Sequence, residues 1–218
     1  MTRRGGGMTI RILADREPYA SYPTRFREME DEKGPSGPFF IFSGPESVDG
    51  PPADMLVMPA EDFLNMPVLE RAGSLVVAYG ASSSMEAAFE GGCADYLREP
   101  WPLQELLVRA RRILNPRVCI DGTVFSLDKD RLTTGITTVE LTEAERRLAR
   151  LLMLNAGLPV TREALAYALN GRRAIAGRSL DNYVSSLRGK MGQAHEGAGK
   201  AITVIRGVGY RLTSTTCG

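Results

Sequence analysis

The sequence predicts two domains of different fold class: an α/β domain with a doubly wound parallel sheet, then a smaller domain of helices that ends in a β-hairpin. Between residues 8 and 114, short apolar strands alternate with helical stretches. This alternation is typical of a parallel sheet covered by helices on both faces. From residue 142 onward the apolar spacing becomes helical, and residues 201–212 form two short β runs around a glycine-containing turn.

The first domain is expected to hold five strands and four helices. Strands are predicted at 10–14, 39–42, 55–58, 75–78 and 96–97, and helices at 22–32, 60–71, 84–91 and 102–114. Residues 44–52 are too rich in Gly and Pro for a helix, so the connection between the second and third strands is predicted to be a loop.

The second domain is expected to begin with four short strands, at 117–120, 124–127, 131–133 and 138–141, with Asp121-Gly122 as a hairpin turn. Thr142-x-x-Glu145 is a capping box that opens a helix ending near residue 155. Thr161 caps a second helix over 162–169. A third helix, 178–191, carries an apolar stripe at every third or fourth residue: Leu180, Val184, Leu187 and Met191.

The polar face of this third helix is the candidate DNA-binding surface. It is small or hydrogen-bonding throughout, with basic flanks, and it consists of Arg178, Ser179, Asn182, Ser185, Ser186, Arg188 and Lys190. A face this low in carboxylates and bulk can enter a major groove and donate to phosphates and base edges. The alternative is that this is an ordinary amphipathic helix whose polar face is exposed to solvent and binds nothing.

Charge is distributed unevenly along the chain, although the formal net charge is only +1. Residues 1–114 hold 12 Lys/Arg against 17 Asp/Glu, whereas residues 146–211 hold 12 against 3. Because phosphate neutralisation depends on local basic density, the second domain favours a nucleic-acid partner.

The second domain resembles the OmpR/PhoB-type winged-helix response regulators over residues 117–213. Four motifs in the family's order carry the resemblance: 139–145, 158–165, 178–190 and 205–212. Residues 91–109 resemble the last strand and helix of a receiver domain. The resemblance therefore implies a bacterial two-component-type regulator, with a (βα)5 receiver-like domain followed by a winged helix-turn-helix domain.

The predicted boundaries follow from these motifs. Residues 1–7 are interpreted as a flexible leader, and Met8 is a second candidate initiator. The receiver-like domain spans 8–114, the linker 115–116, the winged-helix domain 117–213 and the tail 214–218.

The receiver-like domain departs from the family's phosphorylation chemistry at each expected position. Receivers need acids after strand one, an Asp after strand three, a Ser/Thr after strand four and a Lys before the final Pro. These groups are needed together because the divalent ion and the Lys offset the negative charge of the phosphoryl group during its transfer. Here these positions read Asp15 with a cation beside it, Met58-Pro59, Tyr79 and Glu99. The sequence therefore predicts a pseudo-receiver and an orphan regulator that acts without aspartyl phosphorylation.

The resemblance also implies roles for individual residues. Arg206 matches a wing arginine that enters the minor groove, and Arg172 and Arg173 lie in a loop that contacts either RNA polymerase or phosphates. The family's dimer face corresponds to roughly 84–114, and constitutive homodimerisation is expected there through Asp95, Arg109, Arg111 and Arg112.

Three other hypotheses stay open at this stage. Glu61 or Asp62 could act as a displaced phosphoacceptor, a pocket near Asp15, Tyr79 and Glu99 could bind a small-molecule signal, or the chain could be an interaction module with a vestigial DNA-binding half.

The remaining composition favours neither a metal, nor a cofactor, nor an enzyme. His195 is the only histidine, and Cys93, Cys119 and Cys217 form no CxxC pair. With neither a signal peptide nor a long apolar run, a reducing, cytoplasmic location and no membrane contact are expected.

Overall fold

The computed structural model describes residues 8–13, 17–33, 40–44, 53–170 and 177–216. The chain divides into two compact units, Met1–Arg112 and Ile113–Gly218. Neither unit contains, in its described part, a helix long and apolar enough to cross a membrane.

The amino-terminal unit is built on a five-stranded parallel sheet, which confirms the predicted fold class. Its strands are β1 (Met8–Ile12), β2 (Phe40–Ser43), β3 (Met55–Pro59), β4 (Val76–Gly80) and β5 (Asp95–Arg98), in the spatial order β2-β1-β3-β4-β5. Helices α1 (Tyr22–Lys33), α2 (Ala60–Asn65), α3 (Val68–Gly73), α4 (Met85–Glu90) and α5 (Leu103–Leu114) connect or follow them. The loop predicted over 44–52 lies almost wholly outside the described residues.

One helix of this unit differs from the prediction. The stretch 60–71 was expected to be continuous, but it divides into α2 and α3 around Pro67. Met66 takes an extended conformation with ψ 144°, because a proline ring clashes with a preceding helical residue.

The carboxy-terminal unit begins with an antiparallel sheet of β6 (Arg117–Ile120), β7 (Thr123–Asp128), β8 (Arg131–Thr133) and β9 (Thr138–Glu140). Asp121 and Gly122 both have positive φ, 49° and 76°, which is the backbone that a two-residue hairpin turn requires. Three helices follow: α6 (Glu143–Leu154), α7 (Arg162–Asn170) and α8 (Gly177–Ala194).

The chain closes with a three-stranded sheet in the order β10-β12-β11, formed by β10 (Pro159–Thr161), β11 (Ile202–Ile205) and β12 (Gly209–Leu212). β11 and β12 are the predicted hairpin, and we call them, with the turn between them, the wing. β10 was not predicted, since three residues after a helix carry too little alternation to indicate a strand. Helix α8 also continues three residues beyond its predicted end.

The sequence analysis found no CxxC pair among the three cysteines and predicted no disulfide between them. Cys93 is a buried free thiol, and burial, with a contribution from Asp95, raises its pKa to about 11. Cys119 is disulfide-bonded, a bond that the spacing argument missed. Cys217 lies outside the described residues.

Candidate nucleic-acid interface

Helix α8 buries the apolar stripe that the sequence predicted. Leu180, Val184, Leu187 and Met191 are each at most 4% exposed. On the opposite side, Asn182, Ser185 and Ser186 are exposed, and Ser179, Arg188 and Lys190 are partly exposed. The outer face of α8 is therefore smooth and polar, as a groove-entering helix needs to be.

Ser186 also has a structural partner that the sequence analysis missed. Its hydroxyl donates to Glu145, whose carboxylate accepts a 2.8 Å bond from the Thr142 amide while Thr142 Oγ1 caps the Glu145 amide. The predicted capping box is thus confirmed, and its glutamate also joins α6 to α8. Burial opposes ionisation of Glu145, but the hydrogen bonds from Ser186 and Thr142 outweigh it and lower its pKa.

The wing presents Arg206 to solvent at the tip of the hairpin. Gly207 follows with φ 73°, a left-handed conformation that glycine adopts without strain. Strand β12 pairs on one side with β11 and on the other with β10. The wing is therefore attached to the chain segment that leads into α7.

Tyr210 of β12 lies where the wing, α7 and α8 meet. Its hydroxyl donates to Asp181 Oδ1 on α8 (2.5 Å), and the same oxygen accepts a 2.7 Å bond from Arg162 Nη2 on α7. The guanidinium carbons of Arg162 and Arg188 lie 5.7 and 5.9 Å from the Tyr210 ring centroid. Hydrogen bonds from Tyr210 and Arg162 lower the pKa of Asp181, and burial followed by the Asp181 hydrogen bond raises the pKa of Tyr210.

Arg188 was predicted to contact DNA, but the structure shows its guanidinium bound within the chain. Nε and Nη2 donate to the Ile202 carbonyl at 3.0 and 2.8 Å. Its position ties α8 to β11, so direct DNA contact by Arg188 stays a prediction. The loop arginines Arg172 and Arg173 lie outside the described residues, as does the side chain of Arg178.

Three of the basic residues counted in the sequence are interior. Arg146, Arg147 and Arg150 of α6 are 4%, 8% and 1% exposed. Arg147 pairs with Glu143 at 2.7 Å, and Arg150 Nε donates to the Leu114 carbonyl at 3.1 Å. The surface of this unit is consequently less basic than its composition indicates, and its outward charge comes from other positions, among them Lys190 and Arg206.

In the amino-terminal unit, aromatic rings occupy the carboxyl end of the parallel sheet. Tyr19, Tyr22, Tyr79 and Trp101, which we call the aromatic cluster, are each at most 6% exposed. Tyr19 stacks on Trp101 with ring centroids 4.4 Å apart, and the Tyr22 hydroxyl donates to the Trp101 carbonyl at 2.9 Å. Tyr79 contacts both Tyr19 and Trp101.

The positions predicted as a degenerate phosphorylation pocket are distributed around this cluster. Met58 is 3% exposed and packs with Phe63 and Tyr96, and Pro59 ends β3. Tyr79 is buried among the rings, whereas Glu99 lines an open pocket together with Tyr96 and Arg98. The small-molecule hypothesis, which placed a pocket near Asp15, Tyr79 and Glu99, stays a prediction. Glu99 is exposed, and Asp15 lies outside the described residues.

The predicted dimer face is partly satisfied within the chain. Arg109 donates to both oxygens of Asp95, at 2.9 and 3.0 Å, and to Glu105 at 2.8 and 3.0 Å. Arg111 and Arg112 are exposed, and so are two apolar side chains, Phe89 (48%) and Val108 (68%).

Comparison with known proteins connects this geometry to a family. Residues 136–212, which include α6, α7, α8 and the wing, match the family described as "Transcriptional regulatory protein, C terminal". The carboxy-terminal unit is similar to this family over α6, α7, α8 and the wing. The family description is that of a transcription regulator, which agrees with the prediction of no enzymatic activity.

Similarity over a longer part of the chain extends to response regulators. The chain is 31% identical over 153 residues to "Response regulator MprA" of Mycolicibacterium vanbaalenii, covering 65% of each chain. It therefore matches slightly less than two thirds of that relative. It is 28% identical over 158 residues to "Transcriptional regulatory protein CpxR" of Escherichia coli, covering 65% of this chain and 68% of CpxR.

Among solved structures, the DNA-binding domain of CpxR from E. coli covers 46% of this chain and 99% of its own, with 28% identity and a TM-score of 0.39. The response regulator DrrB, a Thermotoga maritima OmpR/PhoB homologue, covers 95% of this chain and 100% of its own, with 17% identity and a TM-score of 0.41.

Proposed function

We propose that this chain is a DNA-binding transcription regulator that acts as a homodimer and does not depend on aspartyl phosphorylation. The observation that supports DNA binding most directly is the smooth polar face of α8, with Asn182 and Ser185 exposed, beside a wing that carries Arg206 at its tip. A helix of this kind reads base edges in the major groove, and an arginine on a wing reads the width of the minor groove.

Independence from phosphorylation is supported by what fills the carboxyl end of the sheet. Phosphoryl transfer to a receiver needs a carboxylate nucleophile, a hydrated divalent cation and a compensating cation in one polar space. Met58, Tyr79 and Trp101 are apolar or aromatic and buried there, and Glu99 replaces the expected lysine. Glu61 and Asp62 lie in the first turn of α2, where acids complement the helix dipole.

Fluorescence anisotropy on a labelled random-sequence duplex of about 30 base pairs tests this function. The untreated protein is expected to bind, and the affinity to fall by orders of magnitude between about 50 and about 200 mM salt as the gain from counterion release shrinks. Treatment with acetyl phosphate and Mg²⁺ is expected to leave the binding affinity unchanged at each salt concentration. Arg206→Ala is expected to weaken binding about ten-fold and lower the salt slope by about 1.

Two outcomes would count against the proposal. Binding that requires acetyl phosphate would favour a displaced phosphoacceptor, and no salt-dependent binding with either treatment would favour an interaction module.

The homodimer is proposed to form through α4 and α5. Exposed Phe89 and Val108, with Arg111 and Arg112 beside them, give that surface the apolar centre and polar rim of an interface. Arg109 and Asp95 are expected to order it through their mutual ion pair rather than to reach across.

Light scattering on the eluting full chain, without phosphodonor, measures the oligomeric state. The expected mass is twice the 23.7 kDa of one chain, and Val108→Glu is expected to yield the monomer because it buries an unpaired charge. Val68→Glu is the matched control, since Val68 is 71% exposed on α3, and it should remain dimeric. A wild-type monomer at about 10 µM would contradict the dimer, since obligate interfaces associate well below that concentration.

A further inference from the structure

The wing is joined to α8 by two separate sets of hydrogen bonds. Strand β12 is joined through the Tyr210 hydroxyl and Asp181, and β11 through the Ile202 carbonyl and Arg188. Arg162 of α7 completes the arrangement by sharing the Asp181 oxygen. We call Tyr210, Asp181, Arg162 and Arg188 the wing clamp.

The clamp is chemically specific rather than a general polar contact. Tyr210 is 4% exposed, its ring centroid lies within 6 Å of two guanidinium groups, and its hydroxyl meets a carboxylate. Two cation–π contacts and one charge-assisted hydrogen bond therefore act on one side chain. A ring held in this way fixes the position of β12 relative to α8 more firmly than backbone pairing to β10 alone.

The clamp also explains an acid on the flank of a helix proposed to approach phosphates. A free carboxylate at Asp181 would repel a DNA backbone. Here the Asp181 carboxylate forms an ion pair with Arg162 at 2.7 Å and accepts a hydrogen bond from the Tyr210 hydroxyl. Its charge is therefore compensated by groups of the protein itself.

We propose that the wing clamp sets the offset along the duplex between the site read by α8 and the site read by Arg206, so that Tyr210 and Asp181 are positioning residues for two-groove recognition. This inference rests on the proposed DNA-binding function. A shift of one base pair displaces a contact by about 3.4 Å along the duplex axis. Hydrogen bonds to bases tolerate only a few tenths of an ångström, so a rigid offset makes the spacing between the two sites part of the recognised sequence.

The experiment uses the full chain and a duplex selected from a random pool by the wild-type protein. From it, two further duplexes are made with one base pair inserted or deleted between the major-groove site and the minor-groove site, as located by footprinting. The wild type is expected to bind the shifted duplexes about ten-fold or more weakly, comparable with a mismatched base pair.

Tyr210→Phe retains the ring between the two arginines and removes only the hydroxyl. It is expected to bind the selected duplex about five-fold more weakly, by loss of one charge-assisted bond, while its penalty for a shifted duplex falls to about two-fold. Asp181→Ala is the second variant, and it removes the acceptor of the same hydrogen bond. The double variant is therefore expected to bind no more weakly than Asp181→Ala alone.

Tyr22→Phe is the matched control. Tyr22 is also 4% exposed and donates its hydroxyl to a carbonyl in the other unit, so its spacing penalty should equal that of the wild type. If the clamp variants lose affinity equally on all three duplexes, or leave the spacing penalty at its wild-type value, the offset role is overturned. Should Tyr210→Phe fail to fold by circular dichroism, Asp181→Ala decides on the same criteria. If the wild type selects no sequence at all, the proposed DNA-binding function itself has failed. If the wild type selects a site but the variants keep the wild-type spacing penalty, only the offset role has failed.

Discussion

Replacing Trp101 with alanine is expected to lower the free energy of unfolding of the amino-terminal unit by about 3–5 kcal/mol. Trp101 is 1% exposed and contacts Tyr19, Tyr22 and Tyr79. Its removal deletes the centre of the aromatic cluster and leaves a cavity whose lining rings lose their dispersion contacts.

Hydrogen exchange read by mass spectrometry resolves this effect by unit. Amides of β3 and β4 are expected to exchange about 100-fold or more faster in Trp101→Ala, whereas those of α8 keep their wild-type rates. Phe89→Ala is the control aromatic truncation, because Phe89 is 48% exposed and should change the rates little. Equal effects of the two truncations would mean that the cluster is not the packed centre of this end of the sheet.

The aromatic cluster also bears on how the receiver-like domain works. A phosphorylated pocket must hold water, a divalent cation and a charged phosphoryl group, and all of these need polar surroundings. Stacked rings exclude that environment while they add packing energy. The stability of the cluster and the proposed independence from phosphorylation therefore have one physical origin.

Local signals in the sequence were sufficient for most of the architecture. The stripe at Leu180, Val184, Leu187 and Met191 is periodic along the helix, and periodicity depends only on neighbours along the chain. The capping box at Thr142 and Glu145 is similarly local. The break at Pro67 was missed, although its cause is also local, since the residue before a proline avoids the helical conformation.

Contacts between distant residues were not predictable in this way. Arg150 is buried because it donates to the Leu114 carbonyl, 36 residues away, and Arg188 turns to the Ile202 carbonyl rather than outward. Counting charges assumes that every arginine is on the surface, and at these positions the assumption fails. The wing clamp depends on Arg162, Asp181 and Tyr210 meeting in space, which no spacing rule reveals.

Gly209 offers the second large effect, because it lies where β12 passes closest to β10. A Cβ at this position would overlap the Val160 carbonyl oxygen and stand 3.0 Å from the Arg162 amide nitrogen. Both atoms are backbone and cannot rotate away, so Gly209→Ala must separate β12 from β10. We expect the carboxy-terminal unit to lose about 3 kcal/mol of unfolding free energy, and the affinity for duplex DNA to fall with it, since the wing loses one of its attachments.

A glycine-to-alanine substitution elsewhere in the unit should change the free energy of unfolding in the opposite direction. Gly189 lies within α8, and a Cβ added there would meet no heavy atom within 4 Å beyond its own helix backbone, so Gly189→Ala should stabilise the helix by about 0.8–1 kcal/mol. Chemical denaturation of both variants, followed by circular dichroism, compares them directly. If Gly209→Ala proved as stable as the wild type, β10 and β12 would have to lie farther apart than their pairing requires. The wing would then depend on the clamp alone for its position. Comparing the spacing penalties of Tyr210→Phe and Gly209→Ala on the shifted duplexes would show how much the clamp and the β10–β12 pairing each contribute to that position.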